Sequence, residues 1–179
     1  MQKPDCSFFY KGDIRKEEIC SKFVQKLFYL EKLYFEHYAF AYNTLISIFL
    51  KKPVKPLIEL EAAFSHFIHF IRYLNQENMG DAEKNLDRFG AHIERMLLDL
   101  YKICFLNYLD FTKELLEKEP FNEEFLSFHV KVSEAFYEAR AYEIENIGVD
   151  KENTLKKYKE NLEKVNEEFQ RLKRLVSDS

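Results

Sequence analysis

The scarcity of helix breakers limits this chain more than any other feature. Its 179 residues include only four Gly and four Pro, too few for the turns of a many-stranded β fold or for a low-complexity linker. Between them lie long periodic stretches. Gly12-Asp13 offers a cap before a first helix from Ile14 to about Leu50. The run Lys51-Lys52-Pro53-Val54-Lys55-Pro56 cannot continue it, since proline has no N–H to donate and restricts the residue before it. A second helix is expected from about Leu57 to Asn75, broken at Asn78-Met79-Gly80. Asp81 is placed to cap a third that runs to about Lys118, where Pro120 stops it. Asn122 with Glu123 and Glu124 suits the start of a fourth. Ile147-Gly148 resembles its end, and Asp150 caps a fifth. Short connections favour antiparallel neighbours. The expected fold is all-α: an antiparallel bundle of about five helices, two or three of them long, forming a single domain over residues 14–179 behind an N-terminal arm, residues 1–13.

Charge and cysteine usage narrow the function classes. Lys and Arg number 27 against 31 Asp and Glu, a formal net charge of −4, so no global field draws in nucleic acid or an acidic membrane. The uncharged run Phe40–Leu50 covers only about half of the roughly 20 residues a bilayer span requires, and residues 1–13 carry no apolar core of a secretory signal. Cys6, Cys20 and Cys104 are odd in number and lack CxxC spacing, which argues against a disulfide framework or a cysteine zinc site. The expectation is a reduced, soluble, cytoplasmic protein with no membrane partner.

The helices differ in how much they can hide. At 100° per residue, Leu27, Tyr34, Tyr38, Ala41 and Leu45 share one stripe of the first, yet Phe28, Leu33, Phe40 and Ile46 lie off it. The second aligns Leu57, Leu60, Phe64, Phe67, Ile71 and Leu74, with Phe70 and Tyr73 on another side. The third stacks Leu86, Phe89, Ile93, Leu97, Leu100 and Cys104. The fifth is narrower: Leu155, Tyr158, Leu162, Val165, Phe169, Leu172 and Val176 alternate spacings of three and four, and nearly everything between is polar. Such a seam either closes the chain's own bundle or pairs two copies. The aromatic excess off the main stripes of the first two helices independently favours a homodimer or a helical protein partner.

Breaks in the binary pattern mark the candidate polar sites. Glu31 sits among Leu27, Tyr34, Phe35 and Tyr38; Asn107 and His129 lie on core-facing sides of the third and fourth helices. Glu31 is expected either to be buried with a tyrosine hydroxyl or a base of a neighbouring helix as partner, or to reach an exposed edge; Asn107 and His129 are expected to be buried and bonded. The densest polar edge is Arg88, His92, Arg95, Asp99 and Lys102, where Asp99 could orient Arg95 beside the His92 imidazole. That edge is either an acid/base or phosphate-gripping site or a solvated ion-pair ladder. His66 and His69 stand three apart, but no Glu-x-x-His or His-Glu-x-x-His occurs, so a metal-binding bundle lacks its ligand spacing. No glycine-rich phosphate loop or nucleophile elbow exists. No metal or other cofactor is expected.

The stretch Asn85-Leu-Asp-Arg-Phe-Gly-Ala-His92-Ile-Glu-Arg95-Met-Leu-Leu-Asp99-Leu-Tyr-Lys102 resembles the signature helix of small prokaryotic helical proteins of the HEPN type. The resemblance implies a bundle of four or five helices that often dimerises, and it opens RNA binding or metal-independent RNA cleavage of a toxin–antitoxin or defence type. His92 would then be the acid/base and Arg88 or Arg95 the phosphate contact in a dimer cleft. The family's catalytic element separates its Arg and His by more than the three residues between Arg88 and His92. The leading expectation is a non-enzymatic helical interaction module that self-associates; RNA recognition or cleavage and a metal-binding bundle are the alternatives.

Overall fold

The computed structural model describes residues 14–177; the N-terminal arm, Cys6 and the side chain of Val176 lie outside them. Among these residues there are five helices and no strand. Helix α1 spans residues 14–49 as an α-helical segment Ile14–Leu33, a π-helical turn Tyr34–Tyr38 and a second α-helical segment Ala39–Phe49. Helices α2 (Val54–Asn75), α3 (Met79–Lys118), α4 (Glu123–Glu145) and α5 (Lys151–Ser177) follow. None is long and apolar enough to cross a membrane.

The boundaries follow local chemistry, with two departures from expectation. Helix α2 begins at Val54, three residues before Leu57, because Pro56 in a first helical turn removes an N–H that has no intrahelical acceptor anyway. The cap of α3 is Asn78 rather than Asp81. Asn78 Oδ1 accepts the Asp81 N–H at 3.3 Å, while Asn78 Nδ2 donates to Asp81 Oδ2 at 2.9 Å, a reciprocal cap that satisfies an otherwise orphaned donor. Asn122 caps α4 as expected, its side chain accepting from the amides of Glu124 and Phe125. Asp150 caps α5, accepting the Asn153 amide at 3.3 Å.

The residues group into two compact units, one of residues 14–39 and 54–96, the other of residues 40–53 and 97–177. In the first, α1, α2 and α3 enclose Phe70, Leu74, Ala82 and Leu86, with Phe23, Phe67, Tyr73, Met79 and Phe89 packed against them. Lys22 pairs with Glu83 and Tyr29 with Glu94, so α1 and α3 run parallel there. Glu59 meets His92 and His66 meets Asn85, so α2 runs against α3.

In the second unit α3, α4 and α5 alternate in direction. Lys102 pairs with Glu143 and Thr112 with His129 across α3 and α4; Asn161 reaches the Ala135 carbonyl across α4 and α5. Ring contacts of Tyr108, Phe128 and Phe169 join all three helices. Here the α5 seam is consumed: Leu155, Tyr158 and Leu162 are fully buried, and Val165, Phe169 and Leu172 nearly so. It closes the chain's own unit, the first of the two readings its spacing allowed.

Helix α1 departs from a single stripe. Leu27 and Tyr34 are exposed, whereas Ala41 and Leu45 are fully buried. A π turn inserts one residue and sets the following face back by about 100°.

Candidate functional site

The first unit holds one compact polar constellation, built by α2 and α3. On α2, Glu59 and His66 stand seven residues apart and thus nearly in line along one flank. On α3, Asn85, His92 and Arg95 recur at spacings of seven and three. Facing antiparallel, the two sets meet. Glu59 Oε2 lies 2.8 Å from His92 Nδ1 and accepts the Arg95 Nε–H at 3.2 Å. Arg95 Nη2 is also 2.8 Å from His92 Nδ1. That ring nitrogen can donate to the carboxylate or accept from the guanidinium, but not both at once. Donation to Glu59 satisfies the carboxylate from both neighbours. The hydrogen bond from His92 and the charge and hydrogen bond of Arg95 outweigh partial burial and hold the Glu59 carboxyl below its ordinary range.

A second imidazole completes the cluster. The rings of His66 and His92 stack with centroids 5.1 Å apart and planes 22° from parallel. Asn85 Nδ2 donates to the Asp81 carbonyl at 2.8 Å, which fixes the amide and turns its Oδ1 to His66 Nδ1 at 2.9 Å. His66 must therefore carry its proton on Nδ1. Both imidazoles, anchored through Nδ1, keep Nε2 as the basic nitrogen. Such a pair can move a proton or, doubly protonated, grip an anion beside Arg95.

The other residues of the predicted polar edge, and His69, lie elsewhere on α3 and α2. Arg88 is exposed on α3. Asp99 and Lys102 belong to the stretch of α3 that builds the second unit, and Lys102 Nζ donates to Glu143 Oε1 at 2.7 Å. His69 is exposed with its ring against Tyr73, so it does not join His66 at an ion. No group of three or more His, Cys, Asp or Glu suited to a metal occurs among the described residues. Glu31 is exposed, the edge position among the alternatives its pattern allowed, because the surrounding turns of α1 present Leu27, Phe28, Tyr34 and Phe35 outward as well.

Two other candidates are interior and bonded. Asn107 is buried, its Oδ1 accepting from Lys51 Nζ at 2.7 Å and its Nδ2 donating to the Ile103 carbonyl at 2.8 Å. His129 is half-buried, with Nδ1 2.7 Å from Thr112 Oγ1. Both bond as side chains that satisfy the second unit's interior.

That unit also contains an ion cluster that the sequence reading did not single out. Glu143 accepts from Lys102, from Arg140 Nη1 at 2.6 Å and from the Tyr158 hydroxyl at 2.6 Å. Burial pushes its carboxyl up, but the hydrogen bonds of Lys102 and Tyr158 and the two cationic charges outweigh it, so its acidity is strengthened. Burial drives the Tyr158 hydroxyl and the Cys104 thiol upward, which makes neither a nucleophile near neutrality.

Glu59 was also missed. Its i,i+7 relation to His66 on the flank of an apolar stripe was the available signal, but a lone charge on a helix edge has no meaning until a second helix brings His92 to it. Comparison of the chain with family models, curated proteins and solved structures finds no match.

Proposed function

We propose that this chain is a non-enzymatic helical interaction module that associates with a second copy of itself through apolar helix faces. One observation carries the reading: α2 buries one side and leaves a second apolar side in solvent. Inward, Ala63 and Phe70 are fully covered, and Leu74 nearly so. Outward, Val54, Leu57, Phe64, Ile68 and Ile71 expose from 36% to 68% of their surface. Leu27, Phe28, Tyr34 and Phe35 of α1 are exposed in the same unit. Scattered apolar exposure is ordinary, but an apolar row along one helix marks an interaction surface.

The magnitudes of gain and cost are comparable. Full burial of such a side chain contributes about 1.5–3 kcal/mol. Recovering half of that for five side chains on each of two protomers yields roughly 10 kcal/mol, within the about 4–15 kcal/mol lost on association. Further contacts, such as those α1 offers, decide the affinity. The reading places the protein in the cytoplasm, where the buried thiols of Cys20 and Cys104 would stay reduced. Sedimentation equilibrium across a wide concentration range tests it; a strictly monomeric chain at high concentration refutes it.

A second reading, a HEPN-like RNA-binding protein or metal-independent ribonuclease, is favoured by the Glu59–His92–Arg95 contact with His66 stacked beside it. In that reading His92 Nε2 exchanges the proton and Arg95 meets the phosphate. Incubation with structured RNA in EDTA tests it: cleavage by the wild type that His92→Ala abolishes supports it, and cleavage unchanged by His92→Ala rejects the assignment.

A further inference from the structure

The outward row on α2 has a regular form. Val54, Leu57, Glu61, Phe64, Ile68, Ile71 and Asn75 alternate spacings of three and four along the helix, all of them exposed. This is the pattern of a two-helix seam, and it differs from the α5 seam in having nothing over it within the described residues. One acid, Glu61, interrupts the apolar positions, and one base, Arg72, flanks them beside Ile71. Both are exposed, and neither has a hydrogen-bond or ion-pair partner among the described residues.

We propose that α2 recognises α2 of a second copy in one antiparallel register, set by Glu61 and Arg72 of the partner subunit. The inference rests on the self-association reading and specifies its surface. In a parallel two-fold pair, equivalent positions face each other, so two Glu61 carboxylates would meet within an apolar seam, where unpaired charge is costly. An antiparallel pair centred between Phe64 and Ile68 avoids this. Phe64 then packs on the partner's Ile68, and Glu61 lies against the partner's Ile71 with the partner's Arg72 one residue farther on the same side. The two-fold axis repeats the ion pair, so each helix supplies one acid and one base. Sliding the register by one heptad in one direction sets Glu61 opposite the partner's Phe64. Sliding it in the other carries Glu61 past the end of α2. The charges therefore select the central register, a use of polar seam residues that fixes orientation at some cost in stability.

Charge exchange tests the register. Glu61→Arg and Arg72→Glu each place like charges together and should weaken the dimer about tenfold or more, while the double variant should restore it. Because both side chains are exposed, circular dichroism should show unchanged helicity in all three. A covalent probe is independent of affinity: Ser65 is exposed beside the proposed axis on the Arg72 side, so Ser65→Cys in a Cys6→Ser background should form a disulfide-linked dimer on mild oxidation. Parallel helices would hold those positions on opposite sides of the seam. A dimer indifferent to Glu61→Arg, a double variant no better than the singles, or Ser65→Cys that stays unlinked would overturn the register while leaving self-association standing. A wild-type chain that remains monomeric would overturn both.

Discussion

Ile68→Ala separates the energetics of association from those of folding. Ile68 exposes 62% of its surface on α2, whereas Phe70, two residues on, exposes none. Truncating Ile to Ala removes three carbons, each contributing about 0.8 kcal/mol when buried. Only the exposed 62% remains to be buried on association, which leaves about 1.5 kcal/mol per copy by the same measure. Two copies lose about 3 kcal/mol, so the dimer dissociation constant should rise roughly 100-fold. Unfolding of the dilute monomer should change by about 0.5 kcal/mol, as for other surface substitutions. Phe70→Ala should do the reverse, costing the monomer about 3–5 kcal/mol through loss of packing and the cavity left behind. Sedimentation equilibrium reads the first quantity and urea titration the second. Equal dissociation constants for Ile68→Ala and wild type, or a monomer destabilised as much by Ile68→Ala as by Phe70→Ala, would refute the assignment of α2's two faces.

Three further outcomes follow from the site and the caps. The Glu59 carboxyl is held below its ordinary value of 4.5 in the folded state, so its interactions stabilise above that pH and are lost as pH falls through the depressed value; Glu59→Gln should flatten part of the acid limb of urea midpoints measured from pH 6 to 3. Glu143→Ala leaves Lys102 and Arg140 without their shared carboxylate and Tyr158 without its acceptor, and should cost about 2–3 kcal/mol by denaturant titration. Leu50 holds φ at +51° at the end of α1 with 85% of its surface exposed, so Leu50→Gly should relieve backbone strain and raise stability by up to about 1 kcal/mol, a gain that a thermal melt would show as a higher midpoint.

Much of the architecture was legible because it depends on interactions within a few residues. The breaks at Pro53 and Pro120 and the caps at Asn122 and Asp150 are local, and the α5 seam shows its buried face in spacing alone. The errors were local in origin too. Asn78 takes the capping role assigned to Asp81 because both residues suit it, and only the bonded geometry distinguishes donor from acceptor. The π turn at Tyr34–Tyr38 leaves no mark in a periodicity that assumes 100° per residue, so the faces of α1 were joined incorrectly across it.

The polar site was half visible. His92 and Arg95 were singled out as one edge of α3, but the carboxylate that meets them on α2 was not. Glu59, thirty-three residues before His92, binds both His92 and Arg95. Sequence by itself determined which stretches are helical and which side chains are greasy, since propensity, capping and periodicity act within one helix. Tertiary structure alone decided which of two apolar faces each helix keeps for itself and which carboxylate meets which imidazole. Those choices depend on contacts between residues dozens of positions apart, whose free energy exists only once the helices have packed.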